Sequence, residues 1–180
     1  MVGPLKITNK IFLVHHGISS YNRIMPIIYP PRRGEILICD FTNLLSHEMS
    51  KVRPVVALSP RIKHRSDICT VVPLSTTKPE WVNDYHYLLH FKELLPPPFD
   101  KPEMWLKGDM LYTLNISRMN YPYKKTGQGR RYIHYSVSAD DMVEIEKCVC
   151  NGLGIRFDIR WKLVYYMSVT ALRKHQAKST

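Results

Sequence analysis

Three short apolar runs, each cut off by proline or polar residues, constrain this chain most. They are EILICDF at 35–41, PVVAL at 54–58 and ICTVVPL at 68–74. Runs of this length, rich in β-branched residues, suit buried strands and are too short for core helices. Arg53 precedes Pro54, so its backbone is driven to an extended conformation. Pro54 lacks an N–H and fits best at a strand start. Residues 85–91, 109–116 and 132–137 predict further strands. Residues 94–102 hold four prolines and must be a loop, and 120–130 reads as a basic, glycine-containing loop. Ser138 starts the clearest helix. Ser138 and Asp141 have capping-box spacing. Met142, Ile145 and Val149 share a face, and Gly152 is a natural C-cap. A last helix is predicted over 160–174, with Trp161, Val164, Tyr165 and Leu172 on one stripe. Short strands followed by one or two helices predict a compact, barrel-like α+β domain.

The chain has 180 residues, which fits one domain with elaborations. No stretch is apolar for the ~20 residues that a membrane span needs. The apolar residues 11–14 are interrupted by His15 and His16, and no small-residue cleavage site follows them. The expectation is a cytoplasmic protein with no membrane partner.

The formal charge is +11, and its distribution says more than its total. Residues 1–34 contain Lys6, Lys10, Arg23, Arg32 and Arg33 and no acid. Residues 51–65 add Lys51, Arg53, Arg61, Lys63 and Arg65, again without an acid. Residues 118–135 repeat this with Arg118, Lys124, Lys125, Arg130 and Arg131. A basic surface can be merely solvated, but clustered charge favours a nucleic-acid backbone.

Cys39 and Cys69 sit in apolar runs and read as buried thiols. Cys148 and Cys150 have the wrong spacing for a zinc knuckle and lack a second pair. The histidines show no metal-ligand spacing: His86 and His90 fall on a predicted strand with no glutamate between them. No metal and no cofactor is expected.

Three blocks in order carry a resemblance. The first is RGEILICDF, from Arg33. The second is HEMSKVRPVVALSP, in which Glu48 stands five residues before Arg53-Pro54 and the strand ends at Ser59-Pro60. The third is VVPLSTT, ending in Ser75, Thr76 and Thr77. Weaker matches follow at 108–118 and 139–152. Any one block is common; the three together resemble the PemK/MazF toxin family over residues 32–155. The resemblance implies a small SH3-like barrel of the CcdB/MazF type with a C-terminal helix. The toxin domain would span 32–158, between an N-terminal extension (1–31) and a helical tail (159–180).

It also implies chemistry. Family members cleave single-stranded RNA without a metal. The 2′-hydroxyl attacks the adjacent phosphate, giving 2′,3′-cyclic phosphate and 5′-hydroxyl ends. They act as homodimers whose RNA groove is covered by a cognate antitoxin. Arg53 matches the catalytic arginine. Its guanidinium grips two phosphoryl oxygens and stays charged, so it suits charge stabilisation better than proton transfer, although proton donation stays open. Ser75 matches the catalytic Ser/Thr that completes the anion site, and Thr76 can share that task. Glu48 matches the loop carboxylate and would act as base or position Arg53. His47, with its ordinary pKa nearest neutrality, is an acid/base candidate. Asp109 and Arg118 match positions where some members place an acid/base or phosphate-binding group.

Lys51, Lys63, His64, Arg65 and Thr77 would hold flanking RNA. Trp81 and Tyr85 are either stacking platforms or core aromatics, and Asp40 reads as structural. Each of these has a bland reading as well: Arg53 paired to a carboxylate, Ser75 ending a strand in a turn, Glu48 and His47 solvated in a loop. Two other functions remain: a CcdB-like gyrase-binding toxin, or a non-catalytic nucleic-acid-binding barrel.

Overall fold

A computed structural model describes residues 27, 29–45 and 49–155. Within it the chain runs β1 (Glu35–Asp40), β2 (Val52–Ala57), β3 (Ile68–Ser75), β4 (His86–His90), β5 (Glu103–Lys107) and β6 (Tyr112–Asn115). A 3-10 turn (Ile116–Arg118) leads to β7 (Met119–Asn120), β8 (Tyr123–Thr126), β9 (Gly129–Tyr132), β10 (Tyr135–Ser136) and the helix α1 (Ala139–Gly152). The helix predicted over 160–174 lies outside the described residues, as do His47 and Glu48.

Every pairing among these strands is antiparallel. β1 pairs with β2, β2 with β3, and β3 with β6. The 3-10 turn then carries the chain from β6 into β7, which pairs back onto β1. The central strands thus curl into a small barrel closed through that turn. β3 changes partner along its length, from β6 at Ile68–Val71 to β5 at Leu74–Ser75. β4 and β5 extend the sheet beyond the barrel.

Strand alternation gives β1, β2 and β3 two buried faces. Leu37, Cys39, Phe41, Val55, Ala57, Cys69 and Val71 fill the barrel with Ile116 and Met119. Ile36, Val56, Leu58, Val72 and Leu74 pack the other way, against β4, β5 and α1. This is why the three runs read as continuously apolar rather than alternating. Leu37 and Leu74 are fully buried, and truncating either to alanine would cost about 2–5 kcal/mol.

The helix begins as the sequence predicts. Ser138 accepts from the Asp141 N–H at 3.1 Å, and the Asp141 carboxylate accepts from the Ser138 N–H at 3.3 Å. Ile145 and Cys148 are buried, with Met142 and Val149 beside them.

The helix end differs from expectation. Gly152 is its last residue, and Gly154 takes the left-handed position at φ 68°. Gly152 serves close approach instead: a methyl there would meet the Asp109 Cα at 2.8 Å.

Three other expectations need revision. The strand predicted at 109–116 is confined to Tyr112–Asn115, because residues 108–109 form the turn that packs on α1. Of the strand predicted at 132–137, Tyr132 instead ends β9 and only Tyr135–Ser136 form β10. The loop predicted at 120–130 is mostly a two-stranded ribbon, β8 and β9. β5 has no counterpart among the predicted strands.

Candidate active site

The barrel has one end built by the start of β2, the end of β3 and the chain after β1. Arg53 and Ser75 meet there. The β2–β3 ladder pairs Ala57 with Val71 and Val55 with Pro73. Neither Pro54 nor Pro73 can donate to a ladder, and the pairing stops at Val55. The same register carried two residues further sets Arg53 opposite Ser75. Both side chains fall on the barrel-facing side of their strands, in line with Val55 and Val71.

Arg53 Nη1 donates to Ser75 Oγ at 3.3 Å. The backbone N–H of Thr77 donates to the same oxygen at 3.2 Å. Ser75 is only 3% exposed. A serine oxygen has two acceptor positions and one proton to give. With both acceptor positions engaged by N–H donors, the Ser75 proton is left to donate. Two of the donors that an anion would need, a guanidinium and a polarised hydroxyl, therefore converge. At 3.3 Å the Arg53–Ser75 bond is at the long end for its type. Its Nε is buried and finds no hydrogen-bond partner among the described residues.

The surroundings hold this pair in place. Cys39 on β1 lies opposite Arg53 on one side and Met119 on the other. Burial pushes the Cys39 thiol up to about 12, against the opposing pull of Arg118. It is a neutral wall of the site near neutral pH, not a nucleophile. Arg118 Nη1 donates to the carbonyls of Asp40 and Thr42, each at 3.2 Å, and so ties down the chain leaving β1. Asp40 accepts from the Thr42 N–H at 2.8 Å, a turn role as its sequence position suggests.

Sequence reasoning misses Tyr112. Its hydroxyl accepts from the Met49 N–H at 3.2 Å and fixes the chain just ahead of Lys51 and Arg53. The signal lies in the spacing of Met110, Tyr112 and Leu114, all packed against the barrel core.

The remaining candidates spread out. Thr76 and Thr77 follow Ser75 directly and are exposed, and Lys51 is exposed two residues before Arg53. Lys63, His64 and Arg65 lie in the β2–β3 loop, at the opposite end of that hairpin. At ~3.3 Å per residue, four residues of β2 put roughly 13 Å between Arg53 and that end. His64 adopts φ 66° there, and the Arg65 N–H bonds the Ile62 carbonyl at 3.2 Å. Asp109 is exposed in the turn after β5, against the last turn of α1. Its electrostatic neighbour is His86, whose pKa is lowered by burial while Asp109 pulls it up. The structure does not bring Asp109 to the Arg53–Ser75 pair. Trp81 is 75% exposed. Tyr85 is half-buried, with its ring 4.5 Å from that of His86. Among the described residues no three His, Cys, Asp or Glu side chains gather as a metal site.

Residues 32–153 match the family model of the PemK-like, MazF-like toxins of type II toxin-antitoxin systems. The chain belongs to that family. It is also similar to YifN of Escherichia coli (strain K12), an uncharacterized protein, at 24% identity, covering 72% of this chain and 96% of YifN. Among solved structures it is similar to an endoribonuclease in complex with its cognate antitoxin from Mycobacterial species, at 17% identity and TM-score 0.49, covering 71% of this chain and 99% of that one. MazF from Deinococcus radiodurans matches at 18% identity and TM-score 0.48, covering 71% and 99% respectively. The family match contains β1 through α1, and with them Arg53 and Ser75.

Proposed function

We propose that this toxin is a metal-independent endoribonuclease that cleaves single-stranded RNA at the Arg53–Ser75 pair. The observation that carries this reading is Ser75 Oγ accepting from both Arg53 and Thr77, which leaves the serine proton and the other guanidinium N–H groups to meet one phosphate. In the reaction, the 2′-oxygen of the RNA attacks the neighbouring phosphorus and the bond to the 5′-oxygen breaks. Charge accumulates on the phosphoryl oxygens, where fixed donors in a partly buried site contribute most. Arg53 supplies the charge and Ser75 the hydroxyl, with Thr76 beside it. Proton transfer is assigned to Glu48 or His47, as base or acid.

Lys51, Thr77 and Arg118 lie nearest the cleaved phosphate in this reading. Lys63, His64 and Arg65 contact the strand further along. A gyrase-binding toxin has no need of a part-buried Arg–Ser anion site, so the pair favours the ribonuclease.

The working form is a homodimer, kept inactive by a cognate antitoxin and acting in the cytoplasm. The toxin domain spans 32–158, with extensions on both sides.

The test is incubation of the purified full-length chain with single-stranded RNA in excess EDTA. Discrete fragments from the wild type and none from Arg53→Ala support the reading. Intact RNA under all conditions contradicts it.

A further inference from the structure

The ribbon β8–β9 is an insertion into an otherwise continuous edge strand. β7 pairs Asn120 with Ile38, and β10 pairs Tyr135 with Ile36. An uninterrupted antiparallel strand would place Pro122 opposite Ile36. Tyr135 stands there instead, so 13 extra residues are accommodated opposite Leu37. The barrel closes without them. The ribbon pairs only with itself, as a two-stranded sheet, and its base is fastened by the Ile133 N–H donating to the Pro122 carbonyl at 2.8 Å.

Isolated two-stranded ribbons are marginal in water, and this one carries an added penalty. Lys124 faces Arg131 and Lys125 faces Arg130 directly across the strands. Like charges at such positions repel. No acidic residue occurs anywhere from 119 to 138. Tyr123 and Tyr132 are also cross-strand partners, with ring centroids 5.9 Å apart. The alternation of strand faces puts them on the same side as Lys125 and Arg130. The Arg130 guanidinium lies 4.8 Å from the Tyr123 ring centroid, and Tyr132 is 39% exposed. One face thus joins cations to an accessible aromatic plane, which is the combination that single-stranded nucleic acid uses: phosphates on the charges, a base on the ring.

We propose that this ribbon is a second contact site for single-stranded RNA, holding the strand away from the cleaved phosphate. The proposal rests on the ribonuclease reading. The ribbon is rooted on the edge of β1 remote from β2, so a strand engaging it extends beyond Arg53.

The test compares RNA affinity at several salt concentrations in an Arg53→Ala background, which leaves the RNA uncut. The variants combine Lys124→Gln, Lys125→Gln, Arg130→Gln and Arg131→Gln, or carry Tyr132→Ala alone. A further variant deletes residues 122–134, which restores one continuous edge strand. The probes are a long unstructured RNA and an oligonucleotide of a few residues.

On the long RNA the fourfold variant should bind more weakly by tenfold or more. Its slope of log affinity against log salt should flatten by up to about 2.8, at ~0.7 for each phosphate no longer neutralised. Tyr132→Ala should weaken binding with little change in slope. The short oligonucleotide should show a much smaller loss, and in the active background the long substrate should be the one whose cleavage suffers. Equal long-RNA affinity with and without the ribbon charges overturns the ribbon's role while leaving cleavage intact. No long-RNA binding by the Arg53→Ala protein with its ribbon intact overturns the ribbon's role, and intact RNA after incubation with the wild type overturns the ribonuclease reading as well.

Discussion

Arg53 and Ser75 face each other across the open end of the β2–β3 hairpin, with Arg53 Nη1 3.3 Å from Ser75 Oγ. A serine oxygen that accepts from both a guanidinium and a backbone N–H can only donate to a third group. In the proposed reading, this strand terminus is where the RNA phosphate binds. On that reading Ser75 has two separable jobs, holding Arg53 and meeting the phosphate.

Ser75→Ala removes both jobs. RNA cleavage should fall about 10²–10³-fold, the usual effect of losing one preorganised donor. Stability should fall by only about 1 kcal/mol, because Thr77 is exposed and water can take up its N–H. Ser75→Thr should retain most activity, since it keeps the hydroxyl. Cleavage rates and urea unfolding of the two variants check this. Full activity in Ser75→Ala would remove the hydroxyl from the mechanism.

Arg53→Lys keeps the charge but loses the planar fork and the Nε donor. It should cleave at least about 10²-fold more slowly than wild type while folding normally. Single-turnover rates against matched RNA binding separate the two effects. A lysine variant with near-wild-type rates would mean that Arg53 acts only as a general positive charge.

Ser138→Ala should cost about 1 kcal/mol, because the N-cap accepts the Asp141 N–H. Asp141 itself is partly buried, which raises its pKa, but bonds from Ser138 and Tyr87 outweigh this and hold its carboxyl below the ordinary aspartate value. A depressed carboxylate contributes stability above its unfolded pKa and loses it as pH falls through the folded one. The difference in Tm between wild type and Asp141→Asn should therefore be steady above pH ~5 and close as pH drops below about 4. A gap that widens in acid would contradict the assignment.

Gly152→Ala sets two effects against each other. Alanine gains up to about 1 kcal/mol in helix propensity. The added methyl, however, meets backbone of Asp109 and Gly108 at 2.8–2.9 Å, and backbone cannot rotate away. Overpacking of this kind costs about 1–3 kcal/mol, so the net should be destabilising. Thermal unfolding decides it, and a rise in Tm would show that the turn at 108–109 yields easily.

Much of the fold is legible in the sequence because the decisive residues follow strong local rules. The runs around Leu37, Val55 and Val71 announce strands by composition alone, and Ser138 with Asp141 announces a helix start. Arg53 and Ser75 stand out only through the family resemblance. Their apposition is not readable, because residues 58–67 form too long a connection to fix the register of β2 on β3.

β5 is obscured by the proline-rich stretch before it. Yet Met104 and Leu106 are buried while Glu103, Trp105 and Lys107 are less so, an alternation that the sequence does carry. The ribbon has no such pattern. Its strands carry lysines and arginines on both faces, and only a register jump in β1's partners reveals it as an insertion. Asp109 is a site candidate by resemblance alone, and the close packing of Gly108 and Gly152 draws its turn to the helix.

The most direct test of the central claim is the chemistry of the new RNA ends. Mass spectrometry of fragments made by wild-type protein in excess EDTA should show 2′,3′-cyclic phosphates paired with 5′-hydroxyls, and Arg53→Ala should make no such fragments. Fragments ending in 3′-hydroxyl and 5′-phosphate, or cyclic ends formed equally well without Arg53, would contradict it.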